Sequence, residues 1–158
     1  MAAPTTTTTT KRSPHRRTVR TAAAAAGVAL LLGLGAACTP EANHAANLVN
    51  QTRASNGLPA LQFNTMLYLK AQGWAGHMAS QGRLSHSRLA DANWSTTWTK
   101  LGENVGVAYS IEGVHNAFMN SPTHKANIVD RTYNKIGTGV HVSADGRVWV
   151  VQEFMHEW

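Results

Sequence analysis

Ile136-Gly137-Thr138-Gly139-Val140-His141-Val142-Ser143-Ala144-Asp145-Gly146-Arg147-Val148-Trp149-Val150-Val151-Gln152-Glu153-Phe154-Met155 reads as a β-hairpin. From Ile136 to Ala144, Thr138, Val140 and Val142 alternate with Gly137, Gly139 and His141, the period of two that a strand requires. Asp145-Gly146 is a strong turn dipeptide, because its central positions need positive φ and glycine accepts it freely. Arg147 to Met155 returns as the second strand. The segments upstream read as helix or loop, and helices followed by an antiparallel sheet give an α+β fold.

Working back from the hairpin, Ser121-Pro122 starts a short helix, with serine at the cap and proline at the first helical position. Ser110 to Asn120 forms another, with Ile111, Val114, Ala117 and Phe118 inward. Residues 83–109 look irregular and carry Trp94 and Trp98. Loops that long in a small domain usually have a function or pack on themselves. The strongest stripe is Leu67, Ala71, Trp74, Ala75 and Met78, capped by Asn64 and ended at Gln81-Gly82, and it predicts a fully buried Trp74. A first helix runs from Glu41 to Ser55, with Ala45, Leu48, Val49 and Thr52 on one face and Asn56-Gly57 as its stop. Leu58 to Leu61 is a connector.

The N-terminus has a different character. Lys11, Arg12, Arg16, Arg17 and Arg20 precede an uncharged run from Ala22 to Ala37. A basic segment followed by an apolar one is the order of a secretory signal peptide, residues 1–37. The run is shorter than the roughly 20 residues that span a bilayer as a helix, so a retained membrane span is the weaker reading. The single cysteine, Cys38, follows Leu34-Gly35-Ala36-Ala37. This resembles a bacterial lipobox, in which the cysteine is diacylated and becomes the mature N-terminus; ordinary cleavage after Ala37 is the alternative. The full chain carries 14 Lys/Arg against 8 Asp/Glu, net +6. From Cys38 onward nine Lys/Arg face eight Asp/Glu, so the mature chain is near neutral and its basic residues are scattered. That argues against a nucleic-acid partner. One cysteine forms no internal disulfide, so residues 41–158 must be held by packing.

Five segments then follow one another in an ordered pattern: Leu84-Ser85-His86-Ser87, Gly102-Glu103-Asn104, Ser121-Pro122-Thr123-His124-Lys125-Ala126-Asn127-Ile128, Ile136 to Val140, and Trp149 to Phe154. Leu48-Val49-Asn50 with Arg53 and Gly57-Leu58 adds to it. The pattern resembles the CAP family of cysteine-rich secretory, antigen 5 and plant pathogenesis-related proteins, bacterial members included. The resemblance implies a three-layer α-β-α sandwich with a central antiparallel sheet over residues 41–158. It also implies a cleft lined by two His and two Glu. His86, Glu103 and His124 match three of these four. Ser121 stands where the second Glu would be, three residues after the aromatic Phe118. Asn104 and Ser121 join the cleft as candidate ligand-binding residues.

Two imidazoles and one carboxylate are a reasonable ligand set for a divalent transition metal such as zinc, whereas calcium would want more oxygens. The same groups could hold a general base near neutral pH. Spacing alone does not support either, since these residues do not form a metal motif such as HExxH. The trio also reads as a structural network, with Glu103 accepting loop N–H groups and His124 capping or packing. Ser85 beside His86 suggests a Ser-His-Glu hydrolase, but adjacent residues usually point apart. His77 is expected at the core edge and His115 in solvent. His141 and His156 could pair with Arg147 or Glu153. Trp94, Trp98 and Tyr109 form either an aromatic rim or a lid on the core.

Two functions from different classes follow. One is an exported or lipid-anchored envelope module, on the outer face of the cytoplasmic membrane or secreted, binding a lipid, wall component or protein without catalysis. Its membrane contact would run only through the Cys38 anchor. The other is a metal-assisted hydrolase of peptide or ester bonds. The missing second Glu and the lack of a nucleophile held by a base favour the first.

Overall fold

The computed structural model describes residues 38–90 and 98–158; the leader, residues 1–37, and Trp94 lie outside them. Among the described residues, four helices and four strands follow one another as α1 (Pro40–Ser55), β1 (Gln62–Phe63), α2 (Thr65–Gln81), β2 (Trp98–Ala108), α3 (Ile111–Asn120), α4 (Pro122–Ile128), β3 (Lys135–Val142) and β4 (Val148–Glu157). The sheet order is β1-β3-β4-β2. Its three long strands are antiparallel, and the short β1 joins β3 in parallel. No helix among the described residues is long and apolar enough to cross a membrane.

The hairpin forms as its alternation predicts, with Val142 opposite Val148 and Gly146 at φ 79° in the turn. Its two faces serve different layers. Thr138 and Val140 look toward α1, where the Thr138 hydroxyl donates to the Ala42 carbonyl at 2.6 Å. Gly137 and Gly139 look toward α2. A Cβ built on Gly139 would sit 2.1 Å from the carbonyl carbon of Ala71, so the backbone of α2 lies directly on β3. Ala71, Ala75 and Met78 pack on Val105, Trp149 and Val151 on that side. On the other side Ala45, Val49, Val114, Phe118 and Ile128 close over Val140, Val150 and Phe154. The result is an α-β-α sandwich whose central strand β4 is buried on both faces from Val148 to Met155.

Several sequence expectations need correction. The span read as irregular contains β2, an eleven-residue strand paired with β4 along its length. Its polar Gly102-Glu103-Asn104 segment hid it, because those side chains are buried by tertiary partners rather than by an apolar pattern. On α2, Trp74 is only half-buried. Its indole lies at the edge of the stripe, donates to the Ser85 carbonyl at 2.8 Å and stacks on the exposed His77. On α3, Ala117 is exposed and His115 is buried, its Nε2 2.9 Å from the Thr52 hydroxyl of α1. The buried face of α1 is Ala42, Ala45, Val49 and Arg53, so Leu48 and Thr52 are peripheral. His156 pairs with Thr99 at 2.7 Å, not with Arg147 or Glu153. Trp98 packs beside Leu67 and Met155 as a cover on the core, and Tyr109 projects into solvent.

Candidate functional site

Glu103 sits in β2 directly across from Glu153 of β4. Its side chain is 1% exposed, whereas that of His86 is 63% exposed. The Glu103 Oε1 lies 2.7 Å from His86 Nδ1 and accepts from the Ser87 N–H at 2.9 Å. A carboxylate that already accepts a backbone N–H assigns the proton of His86 to Nδ1. The Nε2 of that exposed ring is therefore the nitrogen left to meet a ligand. The loop carrying His86 is held from below, because Trp74 fixes the Ser85 carbonyl and Glu103 fixes the Ser87 amide.

Asn104 follows Glu103 and so points to the opposite face of the sheet. It is 0% exposed. Its Nδ2 donates to the His124 carbonyl and to Gln152 Oε1, both at 3.1 Å, and its Oδ1 accepts from Asn127 Nδ2 at 2.9 Å. This amide cluster ties α4 to β2 and β4. Two carbonyls of β2, an edge strand, accept from side chains: Leu101 from the Tyr133 hydroxyl at 3.2 Å and Glu103 from Asn127 Nδ2 at 3.3 Å.

His124 is carried by the first turn of α4, with its Nδ1 2.9 Å from the Ser121 hydroxyl. Ser121 occupies the N-cap position but makes no capping hydrogen bond with its side chain. Its hydroxyl is turned to the imidazole instead. Partial burial lowers the pKa of His124, and the charge of His86 lowers it further, so the two rings lie within electrostatic reach. The structure thus joins His86 to Glu103 and His124 to Ser121. Among the described residues no group of three or more His, Cys, Asp or Glu is placed to hold a metal ion.

Sequence reasoning missed Glu153 and Lys70. Glu153 is 1% exposed, and its Oε1 accepts from Lys70 Nζ at 2.6 Å and from the Ser87 hydroxyl at 3.3 Å. Burial pushes its carboxyl up to about 7, with Lys70 pulling down and Glu103 pushing up. A lone acid among Val150, Val151, Phe154 and Met155 was the available signal, since charged residues are almost never fully buried unless paired.

An α-β-α sandwich with a His-carboxylate pair just beyond its second helix defines the class of molecule. The sequence profile of the cysteine-rich secretory protein (CAP) family matches residues 46–154, and the chain belongs to that family. The fold is similar to that of an outer surface protein from Borrelia burgdorferi, with a TM-score of 0.65 at 18% identity, covering 73% of this chain and 92% of that one. It is also similar to an extracellular protein containing an SCP domain from Bacillus anthracis, with a TM-score of 0.62 at 18% identity, covering 74% of this chain and 40% of that one. A third similar structure is NaASP2 with Zn2+, with a TM-score of 0.56 at 14% identity, covering 76% of this chain and 82% of that one. No curated protein matches the sequence significantly.

Proposed function

We propose that this chain is an exported CAP-domain binding module, anchored through lipid on Cys38, that engages an envelope lipid, wall component or protein at the β2 edge of the sheet, where His86 lies to one side and His124 to the other. The observation that carries the reading is the His86–Glu103 pair: a buried carboxylate fixes an exposed imidazole through one nitrogen and leaves the other open. The Ser87 hydroxyl is engaged by Lys70 rather than by an imidazole; the Ser121 hydroxyl, 2.9 Å from His124 Nδ1, is the one serine–imidazole contact described at this site and the group a nucleophilic reading would have to use. On this reading Asn104 is a brace for α4 rather than a ligand contact. The outer-surface and extracellular descriptions of the Borrelia and Bacillus proteins support export. The basic and apolar order of residues 1–37 supports it independently.

The anchor has its own test. Cys38→Ser is expected to move the protein from the detergent phase to the aqueous phase of a phase-separation assay, or to block processing. An unmodified mature N-terminus in the intact mass of the wild type would reject the anchor.

A second reading is metal-assisted hydrolysis, and the NaASP2 structure with Zn2+ supports its metal alone. The donor chemistry here suits a metal held by His86 and His124, with Glu103 behind His86 as the carboxylate that orients a ligating imidazole. When bound, such an ion would supply Lewis acidity. With Glu103 behind the ring and Ser121 in place of a second Glu, two protein ligands predict weak affinity. Calorimetric titration of zinc at pH 7.5 is expected to show modest binding, with Kd above about 1 μM, weaker at pH 5.5 because a proton competes for each imidazole lone pair. His86→Ala with His124→Ala should abolish the signal. Equal heats in the wild type and the double variant would remove the metal from this face.

A further inference from the structure

Thr39 alone separates Cys38 from α1, and both residues are fastened to that helix. Thr39 caps it, its hydroxyl accepting from the Ala42 N–H at 3.2 Å, and the Cys38 carbonyl accepts from Asn43 Nδ2 at 3.3 Å. A lipid on Cys38 is therefore joined to the body of the domain with no linker between them. The helix decides which part of the body that is. At its far end Arg53 bonds the carbonyls of Asp130 and Tyr133, before β3 begins. Near its start the Ala42 carbonyl takes the Thr138 hydroxyl, midway along β3. So α1 runs over β3 in the opposite direction, and Cys38 lies beyond Ala42 toward the Val142 end.

The same flank of the sheet carries exposed apolar side chains. β1 and β3 form this flank, and β2 is the opposite edge. Phe63 of β1, Met66 and Leu69 of α2 and Val142 of β3 are each 44% exposed or more. Leu69 falls between Tyr68, whose backbone lies against Gly137, and Ala71, whose backbone lies against Gly139. It is thus level with Thr138, across the sheet from Ala42. One turn further on, the Gln72 amide bonds both main-chain groups of Val140, which β1 is too short to reach. This face is also free of formal charge. The only Asp, Glu, Lys or Arg of α2 is Lys70, whose ammonium goes to Glu153 and Ser87. The outward face of α1, by contrast, is polar, with Asn43, Asn47 and Gln51 exposed.

We infer that the β1–β3 edge seats on the lipid leaflet that holds the Cys38 anchor, with Phe63, Met66 and Leu69 against the boundary of headgroups and acyl chains. The inference rests on the anchor proposed above and extends the membrane contact beyond the lipid itself. Its physical basis is the missing linker. A tether of almost no length holds the edge at the bilayer at high effective concentration, so an apolar patch too small to bind a membrane alone stays seated. The orientation also narrows the partner of the candidate site. β2 lies three strand spacings from β1, about 14 Å, on the edge turned away from the bilayer. A partner reaching His86 and His124 there approaches from outside the membrane, as a wall component or protein does and a lipid of the same leaflet does not.

The test uses the full chain, expressed in a bacterium that processes lipoproteins and reconstituted in phosphatidylethanolamine–phosphatidylglycerol vesicles. Leu69→Cys, or Ala117→Cys on α3 as the control, takes an environment-sensitive fluorophore. A lipidated Cys38 does not, because its sulfur is a thioether. Both labelled positions are exposed, so neither label breaches the core. With brominated lipid in the vesicles, the label at 69 should be quenched several-fold more than the label at 117. Adding Met66→Glu should remove the difference while the protein still floats with the vesicles. Equal quenching at the two positions in floating protein overturns the seating and leaves the anchor standing. Labels at 69 that quench one another, with no effect of bromine, assign the patch to a second copy and overturn it as well. Protein that fails to float, with the Cys38 thiol open to the label, rejects the anchor and the seating together.

Discussion

Gly139→Ala is expected to destabilise the domain by about 3 kcal/mol or more, and to lower its melting temperature by about 10 °C. The new Cβ would meet the carbonyl carbon of Ala71 at 2.1 Å, its oxygen at 2.2 Å and the Gln72 nitrogen at 2.3 Å. These are backbone atoms of a helix, so no side chain can swing aside. The whole of α2 must back away from β3, and that opens the contacts of Ala71, Ala75 and Met78 with Val105, Trp149 and Val151. It also strains the Gln72 clamp, in which Nε2 donates to the Val140 carbonyl and Oε1 accepts the Val140 N–H. Gly73, in the same helix, has nothing within 4 Å of its built Cβ. Gly73→Ala should therefore stabilise by up to about 1 kcal/mol through helix propensity alone. Urea unfolding of both variants checks the pair. A Gly139→Ala loss below about 1 kcal/mol would show that α2 does not rest on the strand at this point.

Arg53→Met is expected to cost about 4 kcal/mol. Arg53 is 0% exposed and faces main-chain carbonyls. Its Nε donates to Pro59 at 2.9 Å, its Nη1 to Ile128 at 3.0 Å and Asp130 at 2.8 Å, and its Nη2 to Tyr133 at 3.5 Å. One guanidinium thus ties the end of α1 to the α1–β1 connector, to the end of α4 and to the approach to β3. Methionine fills the volume but leaves those carbonyls unsatisfied, at about 1–3 kcal/mol for each one that water cannot reach. Arg53→Lys should recover little, since a single ammonium cannot reproduce the planar fork. Burial lowers the guanidinium pKa while Asp130 raises it, and the group stays charged across the ordinary pH range. A denaturation midpoint near that of the wild type would mean that water satisfies the carbonyls.

What the sequence disclosed depended on whether the signal was periodic. The hairpin and the apolar stripe of α2 were legible, because Val140, Val150 and Val151, or Ala71, Ala75 and Met78, repeat at the spacing of their element. β2 was not, because Glu103 and Asn104 are buried by partners far away in the chain: His86 and Ser87 on one face, His124, Asn127 and Gln152 on the other. The two-residue β1 is too short to carry a pattern. On α3, His115 displaced Ala117 from the buried face because Thr52 waits opposite it, a fact of tertiary packing that no helical wheel contains. His86, Glu103, His124 and Ser121 were found only through motif resemblance, and their pairwise bonds required coordinates. Lys70 had neither motif nor period behind it, and Glu153, although inside the Trp149 to Phe154 segment, was read there only as a possible partner for His141 or His156.

The side chains lying against β2 bear on how this protein behaves when crowded. A boundary strand with bare carbonyls is a template on which a second chain can build, and a lipid-tethered population would be concentrated in two dimensions where such encounters are frequent. Tyr133 and Asn127 occupy the carbonyls of Leu101 and Glu103 at the stretch that also carries the candidate site. The same two residues that hold the strand in place therefore make that stretch a poor seed for intermolecular sheet growth, and the face with His86 stays open for a partner of another kind.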